Sequence, residues 1–238
     1  MRISKSQQPA WADELPEPAP GTEFAVVLGA GRFGAKAARI LARRPNWTVW
    51  VVDRDEARRS AVADPAVRFV REDGIDFLVS QAFRLPPEVM IVPALPVHVA
   101  AEWICRAPAH AAALRTVAVP ETVRSGLPHT WVGDGGSLLV SYADFLCPED
   151  CPEPEDGCTI TGEVWTPLYQ VMGDLEVPGF RIDVLRSRQL APGLGGYPVH
   201  DLRALRRRIL EGGGGYWLIG TACRCHGTLT GVEVRDVP

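Results

Sequence analysis

Phe24-Ala25-Val26-Val27-Leu28-Gly29-Ala30-Gly31-Arg32-Phe33-Gly34 is the stretch on which the rest of the chain is organised. An uninterrupted apolar run leads into three glycines. Such a run, without polar alternation, reads as a parallel strand buried on both faces. After the glycines, Phe33, Ala37, Ile40 and Leu41 recur at helical spacing, and Pro45 ends that helix. A strand, a glycine turn and a helix therefore follow one another within 22 residues, from 24 to 45.

Each glycine has its own physical task in that arrangement. Gly29 permits the tight turn, Gly31 lets a ligand's diphosphate approach the backbone, and Gly34 lets helix and strand pack closely. The helix start offers unpaired N–H groups and partial positive charge. Trp47–Val52 reads as the next strand and ends in Asp53, 19 residues beyond Gly34. An acid there can accept hydrogen bonds from an adenosine ribose, which favours NAD; Arg54 beside it could instead meet the 2′-phosphate of NADP. The expected cofactor-binding residues are Gly29, Ala30, Gly31, Arg32, Phe33, Gly34, Asp53 and Arg54.

Further along, Asp55 caps a short helix through Ala63, Val67–Val70 is a strand, and Asp73 starts a helix. Val89–Val92 and Arg115–Val119 complete an alternation that predicts a doubly wound parallel sheet. On these motifs, residues 24–119 resemble the NAD(P)-binding Rossmann superfamily, and the β-GAGRFG-helix-β-VVDRD form is similar to the TrkA-N type of nucleotide-binding domain. The resemblance carries over Gly29, Gly31, Gly34 and Asp53.

The character changes after about Pro120. Strands are expected at 137–143, 159–165, 180–185, 216–221 and 229–234, and Leu202, Leu205 and Ile209 mark a late helix. The expected organisation is a Pro-rich leader over 1–21, a dinucleotide-binding domain over 22–125, and a smaller α+β part over 126–238 that carries cysteine loops.

Those cysteines form a second constellation. Cys147, Cys151 and Cys158 are spaced C-x3-C-x6-C in an acidic loop, and Cys223-x-Cys225-His226 lies far downstream. Thiolates bind soft or borderline metals, and irregular loops let several converge. Three loop thiolates with a fourth ligand from Cys223, Cys225 or His226 would suit a [4Fe–4S] cluster, and four of the six groups would suit zinc; free thiols or a redox pair are the alternatives. Cys105 reads as a core residue.

Composition narrows the chemistry. The net charge of −4 and a pI near 5.8 give no field directed at nucleic acid or an anionic membrane. Arg203, Arg206, Arg207 and Arg208 read as a solvated or acid-paired helix face. No apolar segment of membrane-spanning length and no signal peptide is seen, so a cytoplasmic protein is expected. Lys5 and Lys36 are the only lysines, and no Tyr-x-x-x-Lys dyad exists, which argues against lysine-base chemistry. His98, just beyond the fourth strand, is the candidate for proton transfer. The expectation is an NAD(P)-dependent oxidoreductase acting on a small molecule, with homo-oligomerisation open; the alternative is a non-catalytic sensor of nucleotide or redox state.

Overall fold

The computed structural model of the chain describes residues 21–109 and 112–237, so the expected leader and His110 fall outside the described residues apart from Gly21. The first half opens with β1 (Glu23–Leu28), α1 (Arg32–Ala42), β2 (Trp47–Val52) and β3 (Val67–Val70). It continues with α2 (Gly74–Gln81), β4 (Met90–Pro93) and α3 (Val99–Arg106). Strands β3-β2-β1-β4 lie side by side and parallel, with Val26 opposite Trp50 and Ile91. This is the expected Rossmann-like sheet. β1 is buried on both faces because Phe24, Val26 and Leu28 pack against α2 and α3 while Ala25 and Val27 pack against α1. The Asp73 carboxylate caps α2 by accepting the N–H groups of Ile75 and Asp76.

The second half comprises β5 (Ala112–Val117), β6 (His129–Val132), β7 (Leu138–Ser141), α4 (Leu168–Gly173) and β8 (Phe180–Arg186). It then runs through β9 (Arg188–Ala191), β10 (Leu194–Pro198), α5 (Val199–Glu211), β11 (Gly215–Ala222) and β12 (His226–Asp236). A second sheet is ordered β6-β7-β12-β11-β8, with β5 also on β12. Helices α2, α3 and α5 fill the space between the two sheets, and α4 covers the far face of the second sheet.

Three expectations are corrected. The fifth strand does not extend the parallel sheet: β5 pairs antiparallel with β12, Val117 opposite Gly231. Its sequence Ala-Ala-Leu-Arg-Thr-Val alternates in burial, whereas an interior parallel strand would be apolar throughout. The place beside β4 is taken by β10, which runs antiparallel to it with Tyr197 opposite Ile91. The expected cut near 125 therefore does not separate the sheets, because each draws strands from both sides of it. Lastly, 159–165 is not a strand. Cys158 and Glu163 close a turn through the N–H of Cys158, with Gly162 at φ +72°.

The arginine stripe on α5 is engaged with the chain itself. Arg203 donates to the carbonyls of Ala82 and Leu85, and Arg206 donates to those of Ala107 and Pro108. Arg208 forms a two-pronged pair with Asp183 at 2.6 and 2.9 Å. Among the described residues no helix is long and apolar enough to cross a membrane.

Candidate functional site

The glycine turn is held by β-sheet neighbours. Gly29 N–H donates to the Val52 carbonyl at 2.8 Å, and Ala94 N–H donates to the Leu28 carbonyl at 2.9 Å. Gly29 has φ +101°, and a Cβ there would stand 2.7 Å from the Ala94 carbonyl oxygen. A Cβ on Gly34 would overlap the Gly29 carbonyl. Both glycines are thus demanded by the fold itself.

Gly31 is different. It has ordinary backbone angles, and a Cβ there would approach only the tip of Arg58, at 3.3 Å. It is also the N-cap of α1, with no side chain capping the helix and no acid in the first turn. The opening amides of α1 therefore lack a side-chain acceptor beside a surface cleared of side chains. That arrangement fits the diphosphate of a dinucleotide.

Asp53 stands at the end of β2, buried, and faces this turn. One carboxylate oxygen accepts the Ala30 N–H at 2.7 Å, and the other accepts the Asp55 N–H at 2.9 Å. Arg58 Nη1 lies 3.4 Å from the first of these oxygens. A carboxylate has about four acceptor positions. Three are engaged, so one position is left free for the ribose that Asp53 is expected to meet. Arg58, not the exposed Arg54, is the cation beside Asp53 and Gly31. Sequence reasoning missed Arg58; the signal was its place on the Asp55-capped turn five residues after Asp53. Glu72 sits at the neighbouring strand end, where burial and the nearby Asp76 and Asp73 raise its pKa to about 7.

His98 is where the expectation fails. It lies at the N-cap of α3, but its ring turns into the protein instead of facing the cofactor side. Nδ1 is 2.8 Å from Thr230 Oγ1 and Nε2 is 2.9 Å from Thr221 Oγ1, so both ring nitrogens are occupied. Burial pushes its pKa down to about 3, and the ring stays neutral. It ties α3 to the second sheet and is not in a position to exchange a proton with a ligand.

The cysteines do come together. A cavity of about 710 Å3 is lined by Cys147, Cys151, Cys158, Cys223 and Cys225 with His226. The same cavity reaches Arg32 and Phe33 in the first turn of α1. Phe33, read from its spacing as a core position, is instead largely exposed and faces this space. Glu149 fastens the cysteine loop to α1: its carboxylate pairs with Arg32, and its carbonyl accepts from Lys36 Nζ at 2.6 Å. The Cys151 carbonyl accepts from Gly193 N–H and Gln189 Nε2, each at 2.9 Å, anchoring the loop on the β9–β10 hairpin. Cys223, Cys225 and His226 form the turn between β11 and β12, closed by Cys223 N–H donating to the His226 carbonyl.

The sulfur environments differ. The Ile160 N–H points at Cys158 Sγ, 3.5 Å away, and the Thr161 and Ile160 amides lower that thiol's pKa. Cys223 Sγ accepts from the amides of Cys225 at 3.5 Å and His226 at 3.4 Å, yet burial and then Glu153 push it up to about 12. Cys147 Sγ lies 3.6 Å from His226 Nε2. Burial raises Cys147, and charge on Cys151 and Cys158 adds to the rise. Cys225 rises to about 11 through burial, then Glu153, Cys151, Cys158 and Cys147. Cys147 and Cys225 thus each feel Cys151 and Cys158 across the cavity. Among the described residues, however, no three of His, Cys, Asp and Glu converge as ligands of a single ion, so the tetrahedral grouping expected for zinc is not formed. Cys105 lies apart, partly buried against the core between the sheets.

Comparison with known proteins agrees with this architecture. Residues 25–116 match the TrkA-N domain family, and residues 100–235 match a family described as "Uncharacterized protein, C-terminal domain". A protein of Archaeoglobus fulgidus, printed as "Uncharacterized protein", is 31% identical over 230 residues, covering 87% of this chain and 98% of its own. The chain belongs to that family. Its first half is a TrkA-N domain, a Rossmann-like nucleotide-binding unit. A solved structure from Thermoplasma acidophilum, described as a proposed methyltransferase, covers 42% of this chain and 59% of its own at 17% identity and a TM-score of 0.27. That likeness is too slight to bear on fold or function.

Proposed function

We propose that the chain binds NAD or NADP at the glycine turn and serves as an oxidoreductase whose reacting end is the cysteine-lined cavity. Gly31 and the uncapped amides of α1 would hold the diphosphate, and Asp53 with Arg58 the adenosine ribose. A bound nicotinamide would supply hydride transfer. Arg58 offsets the charge of Asp53, so the carboxylate no longer argues strongly against a 2′-phosphate. The observation that supports this reading best is the continuity of one cavity from the first turn of α1 to the thiols. In an open α/β sheet, ligands sit beyond the carboxyl ends of the strands, which is where Gly31 and Asp53 stand. Phe33 would wall the passage between nucleotide and thiols.

A sensor without turnover is the second reading. It is favoured by the withdrawal of His98 and by Glu149, which links the cysteine loop mechanically to the nucleotide helix. The deciding experiment is calorimetric titration of the full chain with NAD+, NADH, NADP+ and NADPH, followed by assays of reduced-nucleotide consumption with small carbonyl compounds and disulfides. Saturable binding with turnover supports the oxidoreductase, and binding without turnover the sensor. No binding of any of the four removes both.

A further inference from the structure

Five cysteines line one chamber, three from the 147–158 loop and two from the β11–β12 turn. A single tetrahedral ion with metal–sulfur bonds of about 2.3 Å draws its thiolates into mutual contact. A cluster in which each thiolate binds a different iron holds them apart around a larger body. Here Cys147, Cys151, Cys158 and Cys225 line one space of about 710 Å3, which has room for such a body. We propose that this cavity is a site for a [4Fe–4S] cluster ligated by Cys147, Cys151, Cys158 and Cys225. The proposal stands independently of the nucleotide reading.

The loop is built to present sulfur. Pro148 and Pro152 follow two of the cysteines and limit the backbone beside them. The turn at 158–163 aims the Ile160 amide at Cys158, and such N–H···S contacts stabilise thiolate charge. Cys223 is the sulfur left out. It takes the amides of Cys225 and His226 and so shapes the hairpin turn that carries Cys225. His226 Nε2 stands 3.6 Å from Cys147 Sγ, and its Nε2–H tautomer would donate to a ligated sulfur there. Arg32 and Arg224 line the chamber beside the loop acids they pair with, Glu149 and Glu155. Trp131, Phe145 and Trp165 contribute apolar surface to the lining.

The test is anaerobic reconstitution of the full chain with ferrous iron and sulfide, with iron, acid-labile sulfide and the visible spectrum measured after desalting. The expected result is about four iron and four sulfide per chain with broad thiolate-to-iron absorption. Cys151→Ser and Cys225→Ser should each lose more than half of the iron while keeping the wild-type circular dichroism, and Cys105→Ser should retain all of it. Should Cys151→Ser fail to fold, Cys225→Ser carries the comparison. Iron below about one atom per two chains would overturn the proposal. So would equal losses in Cys105→Ser, or one tightly held zinc per chain that ferrous iron and sulfide cannot replace.

Discussion

Replacing Gly31 by aspartate separates the needs of the fold from those of a ligand. The site has φ −67° and ψ −171°, open to any residue, and the new Cβ would meet only the mobile end of Arg58 at 3.3 Å. Gly31 is the N-cap of α1 and provides no side-chain acceptor; aspartate is among the best N-caps, better than glycine by a few tenths of a kcal/mol. The free protein should therefore be as stable as wild type, or slightly more so. The same carboxylate takes the amides a diphosphate needs and places like charge beside it. At about 4 Å and an effective dielectric near 20, one such charge pair costs about 4 kcal/mol, roughly a thousandfold in affinity. Gly31→Ala, without the charge, should lose far less. Calorimetry with the preferred nucleotide reads the affinity, and thermal unfolding of the ligand-free protein reads the stability. Affinity for Gly31→Asp within tenfold of wild type would refute the assignment of the turn, and a collapse of the unfolding temperature would show that Gly31 serves packing.

Other expectations follow from named groups. His98 has its folded pKa depressed to about 3, below its unfolded value, so the unfolded chain binds the proton more readily. Stability should fall as pH drops below about 6.5, by up to about 1.4 kcal/mol per pH unit from this group; denaturant titrations of His98→Gln should lack that component of the slope. Glu72 has the opposite sign. Its folded pKa is raised from 4.5 to about 7, so it costs stability as pH rises through that window. The shift corresponds at face value to about 3 kcal/mol, and partial solvent exposure reduces this to about 1 kcal/mol. Glu72→Gln should stabilise the protein at pH 8 and not at pH 4, and an equal effect at both would count against this account. Glu149→Ala removes half-exposed ion pairs worth no more than about 1 kcal/mol, so global stability should barely move. Amide exchange in the cysteine loop should nonetheless rise several-fold, because that side chain ties the loop to α1; unchanged exchange would show that the β9–β10 contacts suffice.

Local structure was legible in the chain. Phe24–Gly34, the Asp53 strand end, the Asp55 and Asp73 caps and the spacing of Leu202, Leu205 and Ile209 each follow from periodicity, glycine geometry and capping, which act within a few residues. Which strands meet and which side chains face each other depended on long-range packing. β5 has a half-polar pattern that suits any antiparallel sheet, and only its pairing with β12 showed that it leaves the first one. The return of β10 to the edge of β4 joins residues about 107 positions apart, and no short-range signal encodes that. His98 read as a cofactor-facing residue because strand-end position was known and ring direction was not; two threonines more than 120 residues downstream set that direction. Five of the six cysteines were visible as two clusters in the chain. Their gathering around one chamber depends on the β11–β12 hairpin, the β9–β10 hairpin and the Glu149 tie to α1, contacts whose partners lie far apart in sequence and become neighbours only when both sheets have packed.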